Sequence, residues 1–334
     1  MAADRIAVLG AGTIGCYVGG AWAAAGVDVT FIGRARFAAA IAEHGLTISD
    51  YSGWRHRLDP QFTTDPEALS EADTILVAVK GGATAEAGEA IARHATPGAT
   101  VVSLQNGIGN KAILAETLGD RFTLAQGTVP YNVIYLGEGR FHKGVAGRLM
   151  AEDTPAMRAL AERVAGSREP LRLSGDMAGV LWGKLLINLN NAVNALSGLT
   201  LREELAQRGY RRVVAASQRE ALRILERAGI RPARAGPLSP KLIPRAINSP
   251  NWLFQTVLAR RWKIDEKARS SMSDDLKSGR TTEIDQLNGE VVRLAESLGV
   301  DAPINRRIVE LVRNAEAGAP PMSPSELERA VLRR

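Results

Sequence analysis

The chain has 334 residues, 45% of them hydrophobic and 23% charged, which is the composition of a globular protein of one large or two ordinary domains. Its net charge of +6 comes from arginines spread along the chain, with no basic run of five residues and only 5% aromatic residues, which argues against nucleic acid as a partner. The longest apolar runs have the length of strands, so no membrane span is expected. An anionic substrate and a phosphate-rich cofactor account for the positive balance, with plain solubility as the alternative. Met1 to Asp4 leads directly into a strand, leaves no room for a signal peptide, and sets the expectation of a cytoplasmic protein. The one cysteine, Cys16, reads as a small buried residue rather than a nucleophile, and no intramolecular disulfide is possible. His44, His56, His94 and His142 lack metal-ligand spacing, so no metal is expected.

In chain order, a strand over Ile6 to Leu9 gives way at Gly10 to a helix over Thr13 to Ala25 that ends at Gly26. The turn carries Gly10-x-Gly12-x-x-Gly15. Gly10 permits the tight turn, Gly12 lets a pyrophosphate approach the backbone, and Gly15 lets the helix pack close to the strand. The helix start offers free N–H groups and a positive dipole end. Gly10, Gly12, Thr13, Ile14 and Gly15 are therefore the candidate phosphate contacts.

A second strand is predicted over Val27 to Ile32 and a helix over Ala38 to Glu43. Leu46 to Leu58 alternates apolar and polar residues around Ser52-Gly53, the pattern of a hairpin. A buried strand over Thr74 to Val79, a helix over Ala83 to His94, a strand over Thr100 to Leu104, a helix over Lys111 to Leu118 and a strand over Phe122 to Val129 follow. This order predicts an α/β fold whose parallel sheet is covered on both faces. Beyond Gly137 come short β-like pieces, and Glu152 to Gly175 reads as a last α/β element.

From Asp176 onward the period is helical. Helices are predicted over Asp176 to Leu196, Leu201 to Ala228, a segment near Asn251 to Trp262, Thr282 to Leu298 and Ile304 to Asn314. Pro232, Pro237, Pro240, Pro244 and Pro250 break up the middle into a long irregular excursion, residues 232–262, whose role the pattern leaves open. Ser323-Pro324-Ser325-Glu326 opens a last helix with a capping serine, a proline at the first position and a glutamate at the third. The expected architecture is a Rossmann-type dinucleotide-binding domain over residues 1–174, followed by an all-helical C-terminal domain over residues 175–334.

The polar residues that stand out lie at strand ends and on one helix. Strand two ends Phe31-Ile32-Gly33-Arg34-Ala35-Arg36, with no acid to hold a ribose 2′-hydroxyl and with Arg34 where a 2′-phosphate would lie, so NADP is expected over NAD. Lys80 and Asn106 follow the third and fourth buried strands, at the carboxyl ends that border the ligand crevice of an open parallel sheet. Lys184, Asn188 and Asn191 are spaced i, i+4 and i+7 and form one polar stripe of unusually short amides. Asn194 is the alternative second amide. Ser271 and Glu283 complete the set, with Glu283 open to a plainer reading as an acid in the first turn of a helix.

With Gly10-x-Gly12-x-x-Gly15, Val79-Lys80, Gln105-Asn106-Gly107, Trp182-Gly183-Lys184-Leu185-Leu186-Ile187-Asn188, Ser270-Ser271-Met272, Thr282-Glu283-Ile284-Asp285 and Asn288-Gly289 in this order, the chain resembles the ketopantoate reductases (2-dehydropantoate 2-reductases) over nearly its whole length. The resemblance implies NADPH-dependent reduction of a 2-oxo acid, with 2-dehydropantoate giving (R)-pantoate in pantothenate and coenzyme A biosynthesis. It implies Lys184 as the catalytic proton donor and Glu283 as the acid that contacts it or the nicotinamide side. It implies Asn106, Asn188 and Ser271 as substrate ligands, with Asn106 also near the nicotinamide ribose, Lys80 as a cofactor contact and Arg34 as the 2′-phosphate ligand. Two departures touch the substrate end. Ala192 stands where members often carry a second asparagine, leaving Asn191 as the nearest substitute, and Lys267-Ala268-Arg269 stands where some place a substrate-binding asparagine. The alternatives are a D-2-hydroxyacid dehydrogenase acting on a bulkier 2-oxo acid and a non-catalytic NADP-binding redox sensor. The sequence is compatible with a monomer or a homodimer.

Overall fold

A computed structural model describes residues 5–234, 236, 238–254, 256 and 268–333. The leader Met1–Asp4, Pro237, Lys267 and residues 257–262 of the helix expected near Asn251 lie outside the described residues. The chain forms two compact units, Met1–Met177 and Ala178–Arg334.

The first unit contains β1 (Ile6–Leu9), β2 (Val29–Ile32), β3 (Leu46–Asp50), β4 (Arg55–Leu58), β5 (Gln61–Thr63), β6 (Thr74–Val77), β7 (Thr100–Ser103), β8 (Thr123–Thr128), β9 (Val133–Tyr135), β10 (Arg140–Lys143), β11 (Met150–Glu152) and β12 (Arg172–Ser174). Its helices are α1 (Thr13–Ala23), α2 (Ala35–His44), α3 (Thr84–His94), α4 (Asn110–Leu118) and α5 (Pro155–Arg163). Eight strands form one sheet in the order β12-β11-β8-β7-β6-β1-β2-β5, parallel throughout except where β11 runs against β8. Strand order reverses at β1, which lies between β2 and β6, and this is where an open α/β sheet binds its ligand.

The central strands are apolar on both faces because both faces are covered. Ile6, Val8, Phe31, Leu76 and Val102 pack with Tyr17, Val18 and Trp22 of α1 on one side. Ala7, Leu9, Ile75, Val77 and Val101 pack with Ile91 of α3 and Leu114 of α4 on the other. The expected hairpin is β3–β4, which pairs Leu46 with Leu58 and belongs to a second sheet of order β4-β3-β10-β9. Strands β5 and β9, three residues each, were not expected from the sequence; so short a run has no period to read.

The second unit is helical, as the period from Asp176 onward predicts. It contains α6 (Met177–Asn188, which starts at the boundary), α7 (Asn190–Ser197), α8 (Leu201–Ala206), α9 (Arg208–Arg227) and further helices Ile243–Ile247, Ser271–Lys277, Asn288–Ser297, Pro303–Glu316 and Pro324–Leu332. Three expected helices are divided or shortened. The helix expected over Asp176 to Leu196 breaks at Leu189, where buried Gln218 donates from Nε2 to the Leu186 carbonyl at 2.9 Å. An unbroken helix would offer that carbonyl to the Asn190 N–H. The helix expected over Leu201 to Ala228 breaks at Gln207, which is extended (φ −102°, ψ 116°), and its first piece is held by a Thr200–Glu203 capping box. The helix expected from Thr282 starts only at Asn288. The capping box at Ser323 and Glu326 is present as expected.

Gly183 shows why a glycine precedes Lys184 in α6. The Ala233 N–H donates to the Gly179 carbonyl at 2.7 Å, which lays the chain at Ala233 against the helix. A Cβ on Gly183 would collide with the Ala233 carbonyl. Gly183→Ala should therefore destabilise the protein by about 1–3 kcal/mol, despite the better helix propensity of alanine. Urea unfolding checks this, and an unchanged or raised midpoint would show that the chain at Ala233 yields.

Candidate functional site

The residues singled out from the first strand-turn-helix meet at one edge of the large sheet. The registers align Leu9 with Ile32, Leu9 with Val77, and Val77 with Ser103, so four strands end at one level. The chain segments leaving them carry Gly10–Gly15, Gly33–Arg34, Ala78–Lys80 and Leu104–Asn106. Gly10 has φ +93°, and a Cβ there would lie 2.5 Å from the Val79 nitrogen. A Cβ on Gly15 would lie 2.8 Å from both the Gly10 carbonyl and the Val8 side chain. Gly12 differs: a Cβ there would meet nothing closer than the Gly10 carbonyl at 3.8 Å. Packing within the chain does not demand that glycine, and its backbone is open to a group from outside the chain. It is the N-cap of α1, with no side-chain cap and no acid in the first turn. Half-buried Thr13 and Ile14 follow it. Bare N–H groups and an uncompensated positive dipole end suit a phosphate.

Arg34 is exposed at the end of β2, next to Gly33, whose N–H donates to the Thr63 carbonyl at 3.0 Å. Asp28, the nearest acid on that strand, is at the opposite end and pairs with Arg5 Nε at 2.9 Å. Lys80 is exposed at the end of the β6 loop, three residues past the strand rather than directly after it as expected. Asn106 is half-buried, before Gly107 with φ +92°. Cys16 is buried, its thiol donates to the Ala11 carbonyl at 3.3 Å, and burial pushes its pKa up, so it is no nucleophile.

In the second unit Lys184, Asn188 and Asn191 are all half-buried, while Leu181, Leu185, Ala192 and Leu196 of the same two helices, and Leu189 between them, are buried. The stripe therefore exists as an exposed-side feature despite the break at Leu189. Burial pushes the Lys184 ammonium down and the negative charge of Glu283 offsets part of that, leaving it at about 8. Glu283 is half-buried between buried Thr282 and Ile284. It lies in a turn that precedes the helix and not in the helix's first turn, so the dipole reading of this residue is corrected. The turn is held by the Thr282 N–H, which donates to Glu316 at 2.7 Å.

Asn194 is fully buried and committed to structure. It accepts the Ser270 N–H at 2.9 Å and donates to the Leu199 carbonyl at 3.2 Å and to Glu204 at 3.4 Å. Ser270 caps the helix Ser271–Lys277 and donates to the Asn191 carbonyl at 3.2 Å, while Ser271 is exposed at the first position. Ala192 sits in the hydrophobic core. Of the two amides left open by the sequence, Asn191 alone keeps exposed surface. Among the described residues, no group of three His, Cys, Asp or Glu side chains is placed to hold a metal ion, and no helix is long and apolar enough to cross a membrane.

The family profile described as "Ketopantoate reductase PanE/ApbA" matches residues 6–155, and its C-terminal counterpart matches residues 176–316. The chain belongs to the ketopantoate reductase family. A 2-dehydropantoate 2-reductase of Halobacterium salinarum is 29% identical over 93% of this chain and 99% of its own. The crystal structure of a PanE/ApbA family ketopantoate reductase from Ralstonia eutropha is 30% identical, covers 94% of this chain and 98% of its own, and superposes with a TM-score of 0.80. A D-mandelate dehydrogenase in ternary complex with NADH and anilino(oxo)acetate shares the fold at 20% identity and a TM-score of 0.77, covering 94% of this chain and 98% of its own. This ketopantoate reductase family member is thus an oxidoreductase that acts on a CH–OH group and takes a small-molecule substrate.

Sequence reasoning missed Glu204. It is fully buried in α8 and accepts hydrogen bonds from Asn190 at 3.2 Å and Asn194 at 3.4 Å. Burial raises its carboxyl to about 8, against the two amide hydrogen bonds that lower it. Its only signal in the sequence was the capping pattern at Thr200, which assigns it to a helix start and not to the interior. An unfolded glutamate titrates near about 4.3. Between that value and 8 the folded protein holds a proton the unfolded chain releases, so this residue's contribution to stability falls as pH rises through the window. Glu204→Gln should remove that slope: its thermal midpoint should drop less than that of the unsubstituted protein between about pH 5 and about pH 8. Parallel profiles from calorimetry would exclude a neutral Glu204.

Proposed function

We propose that this protein reduces 2-dehydropantoate to (R)-pantoate with NADPH, the step of pantothenate biosynthesis for which its curated relatives are named. The observation that carries the reading is Lys184, an ammonium lowered to about 8 by burial and held charged by Glu283. When bound, the reduced nicotinamide supplies the hydride. Lys184 donates a proton to the substrate carbonyl oxygen, where negative charge grows, and its charge stabilises that oxygen. Glu283 keeps the lysine protonated near neutral pH. Asn188, Asn191 and Ser271 hold the polar substrate with neutral donors and acceptors, and Asn106 contacts the nicotinamide side of the cofactor. Gly10, Gly12, Thr13, Ile14 and Gly15 hold the pyrophosphate, Arg34 the 2′-phosphate, and Lys80 a further part of the cofactor.

Steady-state kinetics on 2-dehydropantoate with NADPH test this directly, and a panel of bulkier 2-oxo acids run alongside separates the reaction from that of a broader 2-hydroxyacid dehydrogenase. Lys184→Ala should cut kcat by about two orders of magnitude or more and leave NADPH affinity near its starting value. In the unsubstituted enzyme kcat/KM should fall as pH rises through about 8, because the donor is lost on that side. Glu283→Gln should move the fall to lower pH. Full turnover in Lys184→Ala, or a limb that ignores Glu283→Gln, would remove the lysine from the chemistry.

Arg34 gives a separate test of cofactor choice. Arg34→Ala should raise KM for NADPH by about tenfold or more, the loss of one charge-assisted contact, and change KM for NADH by no more than about twofold. Equal effects on both would place the 2′-phosphate elsewhere.

A further inference from the structure

Beneath the edge that carries Lys80 and Asn106 lies a chain of buried polar side chains that the sequence did not flag. Thr84, the first residue of α3, is fully buried. Its Oγ1 accepts a hydrogen bond from Gln105 Nε2 at 2.7 Å. The same hydroxyl donates toward the Gly81 carbonyl at 2.8 Å and Asn110 Oδ1 at 2.9 Å, sharing its one proton between them. Gln105 in turn accepts from the Ser103 hydroxyl at 3.1 Å. Asn110, the first residue of α4, donates from Nδ2 to the Asn106 carbonyl at 2.6 Å. Ser103, Gln105 and Asn110 are each at most 4% exposed.

The connectivity has a direction. One end reaches the carbonyl of Gly81, the neighbour of Lys80. The other end reaches Asn106 twice, once through its neighbour Gln105 and once through Asn110. The loops leaving β6 and β7 are thus tied to each other by one hydroxyl, at short distances. Buried polar groups hold their geometry tightly because any displacement leaves a donor or acceptor unpaired away from water.

We propose that Thr84 is a positioning residue for the cofactor side of the site, setting the separation of Lys80 from Asn106 through Gly81, Gln105 and Asn110. This rests on the reading above that Lys80 and Asn106 contact the nicotinamide cofactor. Thr84 touches neither reacting atoms nor cofactor; it acts through the two loops.

The test uses the full-length enzyme and NADPH itself, with affinity read from the fluorescence of the bound reduced nicotinamide. Thr84→Val keeps the shape and removes the hydroxyl, and Thr84→Ser keeps the hydroxyl. Thr84→Val should weaken NADPH binding about tenfold, and Thr84→Ser should restore it to within about twofold of the unsubstituted enzyme. In a double-mutant cycle the effect of Thr84→Val should shrink markedly in a Lys80→Ala background, because the positioned residue is already gone. Should Thr84→Val fold poorly, Asn110→Ala cuts the link to Asn106 and should weaken NADPH binding in the same non-additive way with Asn106→Ala. A Thr84→Val enzyme of lowered thermal midpoint but unchanged NADPH affinity, or effects that simply add to Lys80→Ala, would overturn the proposal and leave Thr84 a structural residue. If Lys80→Ala and Asn106→Ala themselves leave NADPH affinity unchanged, the cofactor reading fails first, which separates the two failures.

Discussion

Gly10 leaves β1 with φ +93° and faces the backbone of Ala78 and Val79 so closely that no side chain fits between them. This single contact couples two chain segments far apart in sequence. The turn from β1 into α1 and the exit from β6 toward Lys80 are pressed together, and the Ala78 N–H donates to the Leu9 carbonyl at 2.8 Å just below them. On the other side the N–H groups of Gly10 and Ala11 both reach the Ile32 carbonyl, at 3.0 and 2.9 Å, which ties the same turn to the end of β2. The level at which Arg34, Lys80 and Asn106 emerge is therefore set from β1 outward. α1 is fixed at its far side as well. Trp22 Nε1 donates to the Glu169 carbonyl at 2.8 Å and the Tyr17 hydroxyl to the Glu169 carboxylate at 3.2 Å. Glu169 is itself neutralised by Lys143 at 2.5 Å, so the buried acid is paired.

The second unit uses buried polar groups in the same way, where its sequence offers no apolar solution. The helix Pro303–Glu316 starts after Ala302, which has no side chain to cap it. Glu220 of α9 takes that role, accepting the N–H groups of Ile304 and Asn305 at 3.0 and 2.8 Å. Asn305 then accepts from Ser217 at 2.7 Å and Asn288 at 3.0 Å. Asn288 belongs to the Asn288-Gly289 block that marks the family resemblance, yet it is fully buried in this network. A family signature thus mixes residues of two kinds. Asn288 holds helices to one another, while Lys184, Asn188 and Glu283 retain exposed surface.

That mixture marks the limit of what the residues alone disclosed. The α/β half was legible because its signals are local: apolar runs of strand length, glycines at turns, and a helix after each strand. Its ends blurred by two residues at β6, where Ala78 and Val79 continue the apolar run past the last paired position, Val77, and pack against Gly10. In the helical half the elements were legible and their breaks were not. Leu189 interrupts a helix because Gln218, twenty-nine positions along, takes a carbonyl the helix would use. Periodicity cannot register a competitor so distant in sequence. Glu283 looked like a first-turn acid because the composition around it is helical. The chain turns there instead, because Ile284 and Leu287 are both drawn into the core and Asn288 into the buried network.

The protonation state of Lys184 follows from two opposed effects. Burial penalises the ammonium and Glu283 repays part of that penalty, and the balance falls at about 8. A lysine in water, at its ordinary 10.5, is always charged near neutrality but gives up its proton reluctantly. One pushed further down without an acid nearby would arrive unprotonated. Lowering the value to about 8 with a carboxylate in attendance leaves the group charged at neutral pH and makes it a better acid by more than two powers of ten.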